Sequence, residues 1–347
     1  MTDGDPQPKK TGRLGKVLAW IAGTLLALAL IGAAGVFGGW VWLNNQFEAA
    51  GPAGAGETVQ LPRGAGLIAI ASQLEREGLV EDARLFRIMV MIDGGDRSLR
   101  AGEFAVPENA SMQEIYDILR FGDTIQYPIT AAEGLTSAMI VEIVNAADVL
   151  TGEITEVPAE GSLLPETYLV DRGTARQAVI DRMAAAQDAL LDELWPQRAP
   201  DLPYDTREEA ITLASIVEKE TGLGGERPLV AGVFVNRLNR GMRLQSDPTI
   251  IYGITQGYPL GRGIRRSELD DADNPYNTYQ ISGLPPTPIA NPGEAAIRAV
   301  LNPPETDYLF FVADGTGGHA FSETYAEHNR NVAEWRRIER ARARSGG

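Results

Sequence analysis

The sequence predicts an α+β fold behind a single N-terminal transmembrane helix. Three observations predict it. A stretch without one charged residue, Val17 to Leu43, lies near the N-terminus. Beyond it, short alternating segments are interleaved with amphipathic ones, each marked by capping or turn residues. The 347 residues also suffice for two or three domains with cores of their own.

The apolar stretch would span roughly 40 Å as a helix, more than the roughly 30 Å hydrocarbon core requires. Trp20 stands near one end and Trp40 and Trp42 near the other, where two interfacial belts would lie. Basic residues flank only its N-terminal side (Lys9, Lys10, Arg13 and Lys16), so the positive-inside rule expects 1–16 to be a cytoplasmic tail and 17–43 the span. The stretch exceeds the roughly 7–15-residue apolar core of a cleavable signal. Gly35 and Gly39 form a G-x-x-x-G pair, a spacing that lets two helices approach.

The formal charge is −16, and the first sixteen residues contribute +2. So acidic a body argues against nucleic acid as a partner, because phosphate binding draws on Lys and Arg. An uncharged or zwitterionic polymer fits better. There is no cysteine, which removes disulfides, a reactive thiol and Cys-based metal sites. His319 and His328 are the only histidines and show no metal-ligand spacing, so no metal and no cofactor is expected.

Residues 44–56, rich in Gly, Ala and polar side chains, read as a linker. Thr58 to Leu61 reads as a strand, Leu67 to Glu77 and Asp82 to Met91 as helices, and Gly102 to Val106 as a strand. Ser111 and Glu114 make a capping box for a helix reaching Phe121. This βααβ order resembles a LysM domain, the small module that binds peptidoglycan glycan; a spacer without a ligand would share the pattern. Gly64 is followed by Ile70 and Leu74, and Gly134 by Ile140 and Val144, at the same offsets. That is a faint internal repeat of strand, glycine turn and helix.

Glu160-Gly-Ser-Leu-Leu-Pro-Glu-Thr-Tyr168 reads as an ordered loop or short strand, Thr174 to Trp195 as a long helix, and Pro196 to Pro203 as a break. Thr206 and Glu209 form a second capping box, and Gly222 suits the position just past a helix of Arg207 to Thr221. On its wheel Glu218 and Glu220 fall at opposite edges of the apolar face, and periodicity does not choose between them. Arg227 to Arg240 reads as another helix. Three loops follow, Leu244 to Thr249, Pro275 to Tyr279 and Gly283 to Gly293. They are full of amide, hydroxyl and aromatic groups that suit sugars, held by prolines at low entropic cost. A strand from Tyr308 to Val312 and a basic helix end after Trp335 complete the chain.

Taken in order, LASIVEKET, ERPLVAGVFVNRL, LQSDPTIIYG, YNTY, GLPPTPIANPG and GGHAFS…EHN resemble the YceG-like endolytic murein transglycosylase family. The resemblance covers about 57–335, and EGSLLPETY fits it with Ser162 and Leu164 where family members often carry aromatics. It implies a LysM-like domain at 57–125 and a catalytic domain at 126–340, divided into a connecting part (126–203) and an active-site core (204–340). It also implies a cell inner membrane protein with a periplasmic catalytic domain. Its partners would be peptidoglycan glycan strands and cell-wall synthases. The implied reaction cleaves the β-1,4 bond between N-acetylmuramic acid and N-acetylglucosamine, leaving a 1,6-anhydro end. Glu218 matches the family's catalytic residue, and the apolar neighbours on its helix are expected to favour the protonated acid. Gln245, Asp247, Asn277 and Tyr279 are the expected substrate contacts. Two rivals remain: a hydrolase taking Asp247 or Glu220 as second carboxylate, and a non-catalytic scaffold that binds peptidoglycan.

Overall fold

The structure, a computed structural model, describes residues 12–345. Residues 1–11, with Lys9 and Lys10 of the expected cytoplasmic tail, lie outside the described residues. The chain divides into two compact units, Met1–Ile125 and Gln126–Gly347, each with its own core. The architecture is mixed α+β, with a long apolar helix first.

In the first unit α1 runs through Arg13–Glu48. It is one helix long and apolar enough to cross a membrane, a property that a membrane span and a signal sequence share. The helix outlasts the apolar stretch. Asn44 to Glu48, expected to begin a linker, form its last turn, and Asn44 Nδ2 donates to Glu48 Oε1 at 2.7 Å. Phe47 is 2% exposed, with its ring centroid 6.2 Å from that of Phe86 and 6.3 Å from that of Tyr116. Burying one such aromatic stabilises by about 2–3 kcal/mol, enough to fix a segment whose composition otherwise reads as flexible. Gly51 is there for close approach: a Cβ would sit 2.2 Å from the Ala110 carbonyl oxygen. The Gly51 N–H donates to Asn109 O, and the Asn109 N–H to Ala53 O.

The unit continues as β1 (Glu57–Leu61), α2 (Leu67–Arg76), α3 (Ala83–Ile92), β2 (Gly102–Val106) and α4 (Met112–Phe121). β1 and β2 pair antiparallel with Val59 opposite Phe104. Asp82 caps α3 by accepting from the Arg84 and Leu85 amides, and the Ser111/Glu114 capping box is formed. Val59, Leu74, Phe86, Phe104, Ile115 and Leu119 form the sealed centre.

The second unit opens with β3 (Gln126–Thr130), α5 (Ser137–Ala146), β4 (Thr167–Asp171) and α6 (Arg176–Leu194). β3 and β4 pair antiparallel, and a core around Ile140, Leu163, Val179 and Met183 lies among these elements. The chain then forms α7 (Arg207–Glu220), α8 (Arg227–Asn239), α9 (Asp247–Thr255), a single turn α10 (Arg266–Leu269) and α11 (Glu294–Leu301). An antiparallel ribbon of β5 (Phe310–Ala313) and β6 (His319–Ser322) and the terminal helix α12 (Tyr325–Ser345) finish it. A larger core joins α7, α8 and α11 through Leu213, Ile216, Phe234 and Ile297. Three helices go beyond the sequence expectations: α10 and α11 have no counterpart there, and α9 begins inside the Leu244 to Thr249 segment expected as a loop.

Candidate active site

The site is built around the C-terminal end of α7. Nine consecutive residues of this helix, Ala210 to Glu218, are buried. A helix enclosed on every side has no single apolar stripe, which is why the wheel could not separate Glu218 from Glu220. The formed Thr206/Glu209 capping box fixes the start of the helix.

Glu218 is 9% exposed. Arg227 Nη2, from the first turn of α8, donates to Glu218 Oε1 at 2.8 Å, and the Gly293 N–H donates to Oε2 at 3.0 Å. The apolar surroundings expected for this residue thus line its helix, while its carboxyl meets a cation and an amide. The same Arg227 Nη2 donates to Glu133 Oε2 at 3.0 Å. Glu133 stands in the turn after β3, ahead of Gly134 (φ +76°). Burial, and then the charge of Glu218, push the Glu133 carboxyl above its ordinary range.

Gly293 reaches Glu218 because Asn291 pins its loop. Asn291 is fully buried, and its Oδ1 accepts from the Leu163 N–H at 3.0 Å. Its Nδ2 donates to Leu135 O and Ser137 Oγ at 3.1 Å and to Glu160 Oε1 at 3.2 Å. Glu160 also accepts from the Ser137 amide at 2.6 Å and the Tyr252 hydroxyl at 3.1 Å. The first residue of EGSLLPETY therefore serves as a buttress, and burial raises its pKa. Gly161 (φ +78°) allows the chain to pass where a Cβ would stand 2.7 Å from both Ile211 Cγ2 and Pro288 Cγ.

Glu220 forms a second group on the other side of the helix end. Ser246 Oγ donates to its Oε1. Burial pushes the Glu220 carboxyl up to about 7, with Ser246 opposing and Asp247 adding to the shift. The loops of Ser246 and Tyr279 are joined by Thr278, whose Oγ1 accepts from the Ser246 N–H at 2.9 Å and whose carbonyl accepts from the Gln245 N–H at 3.1 Å. Tyr279 Oη donates to Asp247 Oδ1 at 2.8 Å; burial and this carboxylate raise the pKa of the phenol. His319 Nδ1 lies 2.7 Å from Glu226 Oε2, and the His319 N–H donates to Oε1 at 2.8 Å. Burial opposes the charge on Glu226, but the His319 contacts outweigh it and hold its pKa below the usual value.

The structure thus brings Asp247 and Tyr279 together with Glu220. Gln245 is exposed, on a left-handed backbone (φ +53°) beside this group. Asn277 is different. It is fully buried; its Nδ2 donates to the carbonyls of Glu268, Leu269 and Asp271, and its Oδ1 accepts from the Tyr279 amide. Asn277 is expected to contact substrate; in the structure its amide ties its loop to α10 and to Asp271. A cavity of about 390 Å³ adjoins the site, with Gly134, Met139, Lys219, Pro248, Tyr252 and Tyr258 in its wall.

Sequence reasoning missed Glu133, Arg227 and Gly293 as site residues. Arg227 and Gly293 sit inside quoted motifs. Glu133 carries one signal, an acid placed directly before a turn glycine after a strand.

Comparison with known proteins gives a consistent result. The YceG-like family model matches residues 59–334. Endolytic murein transglycosylases of two Streptococcus pneumoniae strains are each 32% identical over 366 aligned positions, covering 92% of this chain and 65% of the relative. The endolytic murein transglycosylase of Bacillus subtilis is 28% identical, covering 78% of this chain and 82% of the relative. The chain therefore spans just under two thirds of the length of the streptococcal proteins. A crystal structure of a yceG-like protein from Listeria monocytogenes aligns with a TM-score of 0.49 and 28% identity, over 79% of this chain and 98% of that one. With the family model matched across most of its length, the chain belongs to the YceG-like family.

Proposed function

We propose that the protein is a membrane-anchored endolytic lytic transglycosylase that cuts within peptidoglycan glycan strands, with Glu218 as its catalytic acid and base. The observation that carries this reading is the placement of Glu218: a buried carboxyl at a helix end, oriented through both oxygens, beside a cavity walled partly by tyrosines. Its relatives are named for the activity. Glu218 protonates the glycosidic oxygen, and the bond from C1 of N-acetylmuramic acid to that oxygen breaks. It then takes the proton from the sugar's 6-hydroxyl as O6 bonds to C1. No water is consumed, so no second carboxylate is needed to activate one. Such acid–base work is worth about 10²–10⁴-fold.

The remaining assignments belong to the same proposal. α1 anchors the protein in the cell inner membrane with the catalytic unit in the periplasm. The first unit, with its βααβ order, is a LysM-like glycan binder. Cell-wall synthases are the partners, because cutting a growing strand ends its elongation. Asp247 and Tyr279 contact the sugar, with Gln245 at the rim.

The test is digestion of isolated sacculi by the full chain in detergent, followed by mass spectrometry of the fragment ends. Anhydro ends, lighter than reducing ends by one water, are expected from the wild type, and Glu218→Gln should lower their release by about 10²–10⁴-fold. Full activity in Glu218→Gln would sink the reading. One observation favours a second reading, a hydrolase: Glu133 and Glu218 share a single guanidinium nitrogen, so two carboxylates do lie close together. Reducing ends in the digest would establish it.

A further inference from the structure

Both oxygens of Glu218 face hydrogen-bond donors, Arg227 Nη2 and the Gly293 N–H. Donors on both oxygens favour the ionised carboxylate and oppose its protonation. Glu218 takes up a proton more readily if one donor yields. The Gly293 amide is fixed by the buried Asn291 loop. Arg227 has an alternative, because the same Nη2 already donates to Glu133. Glu133 is held in place for this. Gly134 turns the chain with φ +76°, and the Glu133 carboxyl lies against Gly293, where a Cβ would stand 1.9 Å from Glu133 Oε1.

We propose that Glu133 is a positioning residue for the proposed reaction: it takes the Arg227 guanidinium when Glu218 carries its proton and returns it when Glu218 has given that proton to the glycosidic oxygen. The inference rests on the reading of Glu218 as the acid. The proton passes from Glu218 to the leaving oxygen and comes back from the 6-hydroxyl, while Glu133 and Arg227 exchange only a hydrogen bond. Charged groups near this trio include Glu166, ahead of β4, whose charge acts on Glu133, Lys219, whose Nζ donates to the Gly134 carbonyl at 3.1 Å, and Glu226, next to Arg227 in the chain and paired with His319. The hydrogen bonds described for the Glu218 carboxyl come from Arg227 and Gly293. Burial and the neighbouring Glu218 make Glu133 itself hold a proton more readily than an ordinary glutamate, so its hold on Arg227 strengthens as pH rises.

The experiment is a pH–rate profile for release of anhydro ends from sacculi by the full chain in detergent. Glu133→Gln weakens the acceptor that competes with Glu218 for Arg227 and removes a neighbouring negative charge. Both changes favour the ionised Glu218, so the alkaline limb should move to lower pH by roughly one unit. Glu133→Asp keeps the charge but withdraws the carboxyl by one methylene, and should move the limb the same way by less. It also serves as the second variant should the amide fail to fold. An unmoved limb, a move to higher pH, or an equal loss at every pH would each overturn the proposal. Failure of the underlying reading looks different: wild type then releases no anhydro ends, or Glu218→Gln remains active.

Discussion

Glu220 lies two residues from the proposed acid and meets a different environment. Its carboxyl holds a proton up to about pH 7, against an ordinary value of 4.5. Between those values the folded protein binds more protons than the unfolded chain, so stability falls as pH rises. The contribution of this group is complete below about pH 4.5 and lost on passing about pH 7. Chemical denaturation should therefore find Glu220→Gln more stable than wild type by on the order of 1–3 kcal/mol at about pH 8, and nearly level with it at about pH 4. Glu220 was visible in the sequence as a glutamate at the edge of a helix. Its chemistry was not, because it depends on Ser246 and Asp247, which a helical wheel does not contain. Asn277 was visible as an amide in a loop, but its hydrogen bonds to the carbonyls of Glu268, Leu269 and Asp271 were not, because no local period links it to the end of α10.

Among the elements, those with paired capping signals were legible. The capping boxes at Ser111 and Thr206 mark the starts of α4 and α7, because each pairs two side chains only three residues apart. Thr206→Ala should cost about 1 kcal/mol in a thermal melt and leave the pH–rate profile unmoved. α9 was obscured because Asp247-Pro248 suits a turn as well as a first helical turn. α11 has only eight residues, behind a run of prolines. The Asn291 loop was legible as rigid but not as a support for Gly293. Asn291→Ala would leave the Leu163 amide and neighbouring buried groups without a partner. Denaturation should register about 2–4 kcal/mol of lost stability, and anhydro-end release should fall at least about tenfold as the Gly293 amide drifts from Glu218.

Across the whole molecule, composition exposed the apolar helix at once, while the trio of Glu133, Arg227 and Gly293 stayed hidden because its members are far apart in sequence and no local period links them. The end of α1 was misjudged for a related reason: Phe47 is a single aromatic in a Gly- and Ala-rich stretch, and its partners lie in α3 and α4. Phe47→Ala should weaken the Met1–Ile125 unit by about 3–5 kcal/mol, seen as faster amide exchange in β1 and β2. The continuous backbone of α1, from Arg13 to the buried Phe47, also makes the helix a shaft without a joint. Each residue added to a helix advances it by about 1.5 Å and turns it by about 100°. One alanine inserted after Ala34 would therefore leave every contact around Phe47 in place while turning the part of the first unit that follows the insertion about the shaft relative to the segment before it. The length of α1 sets an angle as well as a distance.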